Sequence, residues 1–378
     1  MLSRTPFRQF GRIYSSILAL GRLPDVVAAM AIEVSQTVAQ GSERNAAATR
    51  ELADQIRANV PPPIPAPAAP LNVTTESVSP ALRLLDKFRS DLLHSLAEPL
   101  LCIDVGARGG VDSALLVLKE RAKLLCFDPD EAECARLQLE HSIDQVEYVP
   151  LALSADGRDL NLTITRHPAC CSIYPPVEAL YKRYPELALM TPERVVSVPS
   201  VNLDTYLASR NLRRPDLYKL DTQGSELEIL EGAVGNLPGA SMIEVEVEFN
   251  PLYEGQPLFA DVDRFMRANG FSLWRLPMMT HYPTEHFAAA GTPLQSESVP
   301  PGRLETMSPG NGQLFWGNAH YVKTECLATD HRPVAAESAK RAAAIASAYG
   351  YWDLALMVLG KCKDTSFEAS TLRGLLSL

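Results

Sequence analysis

The 378-residue chain has no excess of positive charge: 35 Lys and Arg stand against 45 Asp and Glu, a formal net charge of −10. Phosphate-backbone binding needs a basic surface, so this balance argues against nucleic acid as a partner and favours solubility. Cysteine is sparse and irregular. The seven Cys form no CxxC pair and no tight cluster with His, so no zinc site is signalled and no metal is expected. An odd count without spacing suits a reducing compartment, here taken as cytoplasmic, and Cys102 and Cys126 read as small buried apolar side chains. The apolar run Ile17–Leu20 is too short for a membrane span. Missing as well is the dinucleotide fingerprint GxGxxG, because Ala107 and Arg108 follow Gly106 and glycine returns only at Gly109 and Gly110. That spacing disfavours a Rossmann oxidoreductase.

What is present is a repeated pattern of apolar runs ending in acids. LCIDVGARGG, residues 101–110, is an apolar strand followed by an acid and a glycine turn, where absent side chains admit a ligand to the backbone. The spacing of Asp104, Gly106 and Gly110 looks like an S-adenosylmethionine loop. A second run, Lys123 to Phe127, ends in Asp128, placed to accept hydrogen bonds from ribose hydroxyls. Between them, Val111 to Arg121 carries Ala114, Leu115 and Leu118 at helical spacing. A third run spans Val146 to Leu153. A fourth, Leu217 to Leu220, ends in Asp221 and leads through Thr222 to Gly224 into a helix with Leu227, Leu230 and Ala233. The fifth, Met242 to Phe249, alternates apolar residues with Glu244, Glu246 and Glu248. Strands alternating with helices predict an α/β fold with a mostly parallel sheet, and 46% hydrophobic residues suffice for its core.

Four regions follow. Residues 1–59 form a basic and then alanine-rich helical arm: Arg4, Arg8, Arg12 and Arg22 stand without an acid, a pattern of a transit peptide, of a helix touching a membrane surface, or of a solvated basic start. Its second half is an oligomerisation or docking arm, consistent with a homo-oligomer. Residues 60–80 are a linker, since PPPIPAPAAP packs prolines too densely for helix or internal strand. The main domain spans 81–325. After Leu276 it enters a Pro, Gly, Ser and Thr-rich segment up to Gly312, a candidate lid carrying His281 and His286 as potential bases, and returns through the strand-like Gln313 to Lys323. Residues 326–378 hold two helices, Ala335 to Tyr349 and Trp352 to Lys361, around a Gly350 turn. The pair is similar to one tetratricopeptide unit and must pack on the main domain or on a second subunit.

The segments CIDVGARGG, CFDPD, PLALSADG, YKLDTQGSELEILEGA and EVEFNPLYEGQPLF, in this order, resemble the FkbM family of S-adenosylmethionine-dependent methyltransferases over roughly residues 100–323. Many members carry asparagine where Arg108 stands, FEP where this chain has Phe127, Asp128 and Pro129, and EG in place of Gln223 and Gly224. The resemblance implies a class I methyltransferase fold, Rossmann-like, with an antiparallel final strand, and methyl transfer to a hydroxyl of a sugar, glycan or secondary metabolite. N-methyl or carboxyl methyl transfer, and an idle cofactor-fold scaffold, are the alternatives. Under it, Asp104, Gly106, Gly110 and Asp128 hold the cofactor, Leu153 and Ser154 lie near the adenine, and Thr222 and Gln223 contact either ligand. Asp221 is the leading catalytic candidate, against a reading as N-cap of the next helix. Glu246 is the second, against a reading in which Glu244, Glu246 and Glu248 are the solvent face of an edge strand or, with Asp221, a divalent-metal site. His281 is the third, and Tyr253 lines the acceptor site or closes the core.

Overall fold

The computed structural model describes residues 80–140, 143–282, 312–327 and 329–362. The N-terminal arm, nearly all of the proline-rich linker, His286 and most of the expected lid lie outside these residues. Pro80–His94 is helix α1, followed by strand β1, Leu100–Val105. Every residue of β1 is buried, as a continuous apolar run in a parallel sheet covered on both faces should be. The helix expected over Val111 to Arg121 reduces to the short α2, Ser113–Leu116, capped by the Asp112 side chain accepting from the Ala114 amide, and a 3-10 turn.

Then come β2 (Ala122–Phe127), α3 (Glu131–Glu140), β3 (Val146–Val149) and β4 (Ala152–Leu153). The third apolar run is thus broken at Pro150, which has no amide to donate to a ladder. A segment with no motif follows: β5 (Leu160–Thr165), α4 (Glu178–Arg183), β6 (Pro192–Val198), β7 (Ser200–Val201) and α5 (Leu203–Ser209). β5 pairs with β6, and β4 with β7, apart from the main sheet. The chain continues through β8 (Leu217–Leu220), α6 (Glu226–Glu231), β9 (Met242–Glu248), α7 (Phe259–Ala268), β10 (Phe271–Tyr282), β11 (Gln313–Lys323), α8 (Ala336–Ala348) and α9 (Trp352–Gly360).

Seven strands form one sheet in the order β10-β11-β9-β8-β1-β2-β3, parallel from β3 through β9, with β11 antiparallel to both neighbours. This is the class I arrangement expected. β10 runs six residues past Leu276 because it is an edge strand, where Pro277 meets a register shift and the ladder tolerates it. β9, by contrast, is interior, so the edge-strand reading of its glutamates fails.

Alternate strand residues feed two cores. Ile103, Tyr218, Val245 and Tyr321 point to the face covered by α5, α6 and α7. Leu100, Cys102, Leu217, Met242 and Val322 point to the face covered by α1, α8 and α9. The C-terminal pair therefore packs on the main sheet, and Ala339, Ala343, Ala344 and Ala346 let α8 lie close to its neighbours. Cys102 and Cys126 are fully buried and free, and burial pushes both thiols up. No helix among the described residues is long and apolar enough to cross a membrane.

Candidate active site

Towards the carboxyl ends of the strands the second face changes from apolar to ionisable. After Leu100 and Cys102 it presents Asp104, after Leu217 it presents Lys219 and Asp221, and after Met242 it presents Glu244, Glu246 and Glu248. The glycine loop closes over β1 and β2: the Gly106 and Ala107 amides donate to Phe127 O at 2.9 and 3.2 Å. Gly106 has φ +82°, and a Cβ there would lie 1.9 Å from the Asp221 carbonyl oxygen. Only glycine lets the two turns meet. Gly109 and Gly110 also have positive φ, +86° and +112°.

Asp104 is buried, with Lys219 Nζ 3.6 Å from Oδ1, an oxygen that has no hydrogen-bond partner. Burial pushes its carboxyl up to about 6, against the opposing pull of Lys219. Asp128 is likewise buried at the end of β2. Its Oδ1 accepts from the Asp130 amide at 2.9 Å, and Arg108 Nη2 lies 3.5 Å from it and 2.8 Å from Asp130 Oδ2. Arg108 thus ties the glycine loop to the acid after β2.

The second turn is built around Gln223. Gln223 and Gly224 both have positive φ, +61° and +106°, an uncommon pair of left-handed residues. Gln223 Nε2 donates to Asp221 Oδ1 at 3.3 Å and to Glu246 Oε2 at 2.5 Å. The Tyr253 hydroxyl lies 2.9 Å from Gln223 Oε1 and 3.0 Å from Cys170 O, and Ser172 Oγ donates to Gln223 O at 2.7 Å. Glu226 accepts from the amides of Thr222 and Gly224 and from the Thr222 hydroxyl. Helix α6 begins only at Glu226, behind Ser225, so Asp221 is not its N-cap. Asp221 is instead the open group of the turn, its side chain 44% exposed and Lys219 Nζ 3.7 Å from Oδ2.

Beneath lie Glu226, Glu246 and Glu248, all buried. Burial, with the nearby charge of Asp221, pushes Glu226 up to about 7, and burial with the repulsion of Asp221 and of their neighbouring glutamates pushes Glu246 and Glu248 well above the ordinary carboxylate range. The Gln223 amide bridges Asp221 and Glu246, and among the described residues no three His, Cys, Asp or Glu converge to hold a metal.

The remaining expected residues fall differently. Ser154 is buried, its hydroxyl 2.7 Å from Ser200 Oγ and accepting from the Gly157 amide, and Leu153 is core. His281 sits opposite Leu314 near the end of β10, with β11 between it and β9, and its Nδ1 has no hydrogen-bond partner. Tyr253 is fully buried and joins Tyr184, Leu252 and Phe315, with Tyr282 and Trp316 against them, in an aromatic cluster. Ser172 and Cys170, in the segment without motifs, escape sequence reading, since nothing local marks them as supports for a turn 50 residues away.

A family model described as the methyltransferase FkbM domain matches residues 104–273. The 2-O-methyltransferase NoeI of Sinorhizobium fredii (strain NBRC 101917 / NGR234) is 30% identical over 175 residues, which cover 43% of this chain and 69% of that protein. Among solved structures, magnesium protoporphyrin IX methyltransferase of Synechocystis PCC 6803 is 12% identical, covering 68% of this chain and 86% of that one at a TM-score of 0.30. The 1,6-didemethyltoxoflavin-N1-methyltransferase of Burkholderia thailandensis is also 12% identical, covering 64% and 78% at a TM-score of 0.28. On the family match and the relative together, this chain belongs to the FkbM family and is an S-adenosylmethionine-dependent methyltransferase.

Proposed function

We propose that this enzyme methylates a hydroxyl oxygen of a sugar, glycan or related small metabolite, with Asp221 as the group that takes the hydroxyl proton. Bound S-adenosylmethionine supplies a methyl group already activated on a sulfonium. The residues present fit it: Gly106, Gly109 and Gly110 give the loop after β1 a left-handed backbone free of side chains, and buried Asp104, at the end of β1, holds an oxygen without a hydrogen-bond partner. Asp104, Gly106, Gly110 and Asp128 are assigned to the cofactor. Thr222, bonded to Glu226, and Gln223, bonded to Asp221, Glu246 and Tyr253, shape the wall between the two ligands.

The observation that carries the reading is the half-exposed carboxylate of Asp221, whose own carbonyl touches the glycine loop. A hydroxyl is a poor nucleophile while it keeps its proton, so a carboxylate within hydrogen-bond reach must accept it as the new C–O bond forms. Glu246 is buried and raised towards its neutral form, and acts through Gln223 by fixing the turn. His281, beyond β11, is given no part in proton transfer. The name of the relative NoeI, a 2-O-methyltransferase, supports oxygen as the acceptor atom.

Asp221→Asn keeps the size of the side chain and removes the base. Transfer to a panel of sugar and glycan acceptors should fall roughly 100- to 10,000-fold, with S-adenosylhomocysteine affinity within about threefold of wild type by calorimetry. Turnover undiminished in that variant removes Asp221 from proton transfer.

A further inference from the structure

One transverse row of residues crosses the sheet in register: Asp104 on β1 opposite Lys219 on β8, Lys219 opposite Glu244 on β9, and Glu244 opposite His320 on β11. Arg275 on β10 stands opposite His320 at the far end. Asp104, Glu244 and His320 are buried, and the turn between α8 and α9 brings Tyr349 to Glu244 and Tyr351 to His320. Tyr349 Oη donates to Glu244 Oε2 at 2.8 Å, Asn318 Nδ2 donates to Oε1 at 3.1 Å, and His320 Nε2 lies 3.7 Å from Oε1. Tyr351 Oη is 2.7 Å from His320 Nδ1. The two tyrosine rings stack at 6.1 Å, and the imidazole meets both edge-on at 5.0 and 5.7 Å.

We propose that Glu244, held by Tyr349, Asn318 and a His320 that Tyr351 braces, is a positioning residue that fixes how Lys219 shares its charge between Asp104 under the cofactor loop and Asp221 at the acceptor side. The C-terminal helical pair is on this account a working part of the methyltransferase site. The inference rests on the assignment of Asp104 to the cofactor. Lys219 Nζ lies almost equally far from Asp104 and Asp221, 3.6 and 3.7 Å, and within hydrogen-bond distance of neither, so its place depends on the charge behind it. That charge is Glu244. Burial alone would raise its carboxyl, yet the His320 imidazole, the charge of Lys219 on the neighbouring strand and the Tyr349 hydroxyl outweigh burial and hold it below its ordinary value. A helix pair that served only to cover the sheet would need no ion beneath it, since apolar side chains cover a core at less desolvation cost.

The test is S-adenosylhomocysteine affinity against pH, by calorimetry on the full chain. Besides Lys219 and Asp221, the groups facing Asp104 are Asp112, Cys102, Cys126 and Tyr148. Wild-type affinity should weaken as pH falls through about 6, where Asp104 takes up a proton. In Glu244→Gln the Lys219 charge falls undivided on Asp104 and Asp221, so the midpoint should move down by about half a pH unit or more. Tyr349→Phe, which loses a single oxygen and keeps the test open if Glu244→Gln does not fold, should move it the same way by less. A midpoint that stays put in a folded variant, or affinity lowered equally at every pH, overturns the inference. A flat wild-type profile overturns it at its foundation, because Asp104 would then not face the cofactor.

Discussion

Gln223 stands where many FkbM members carry glutamate, and its amide is what this site requires there. It donates to two carboxylates at once, Asp221 and Glu246, while its carbonyl oxygen faces the Tyr253 hydroxyl. Gln223→Glu would set a third carboxylate among them. We expect a loss of about 1–3 kcal/mol, read as a lower melting temperature that is larger at about pH 8 than at about pH 5.5, where the cluster can take up protons. Gly106→Ala is expected to weaken S-adenosylhomocysteine binding by at least about tenfold, because φ +82° disfavours any side chain and its Cβ would displace the Asp221 carbonyl. Asp104, Asp128 and Asp221 were legible in the sequence because each closes or follows an apolar run. The work of Gln223 was not, since it depends on a left-handed backbone and on Ser172 and Tyr253, 51 and 30 residues away.

At the scale of the element, the alternation of Ile243, Val245 and Val247 with Glu244, Glu246 and Glu248 specifies two faces but no neighbours. Whether the glutamates meet water or protein was decided by β11, which pairs with β9 from some 70 residues further on. Sequence pattern is local and pairing is not, so the strands were legible and the burial of their acids was not. The breaks at Pro150 and Pro277 show the same limit: one proline ended β3, while the other was carried along an edge. Helix α8 offers a direct check. Ala343 is fully buried, so Ala343→Leu should overpack the contact with the sheet and destabilise by about 1–3 kcal/mol, measured by chemical denaturation. An unchanged midpoint would show that the helix pair is loosely seated.

For the whole molecule, opposing sets of acids fix a pH of greatest stability. Glu226, Glu246 and Glu248 are raised, so their contribution is fully present below the ordinary 4.5 and is lost as pH climbs through their raised values, about 7 for Glu226. Glu244, Asp130 and Glu147 are lowered, so theirs is present above their ordinary values and is lost as pH falls below them. The melting temperature should therefore peak near about pH 5–6 and decline by about pH 8.5, and Glu248→Gln should flatten that alkaline decline. A melting curve indifferent to pH across this range would contradict the burial of the cluster. The placement of β11 between β9 and β10 has a consequence for synthesis as well. While a ribosome has not yet delivered residues 313–323, the five parallel strands can pair, but β9 keeps one free edge and β10 has no partner in the sheet. Completion of the sheet waits for β11, the last of its strands to be delivered. A stalled or truncated nascent polypeptide would then expose the same strand that, once covered, holds the acidic heart of the enzyme.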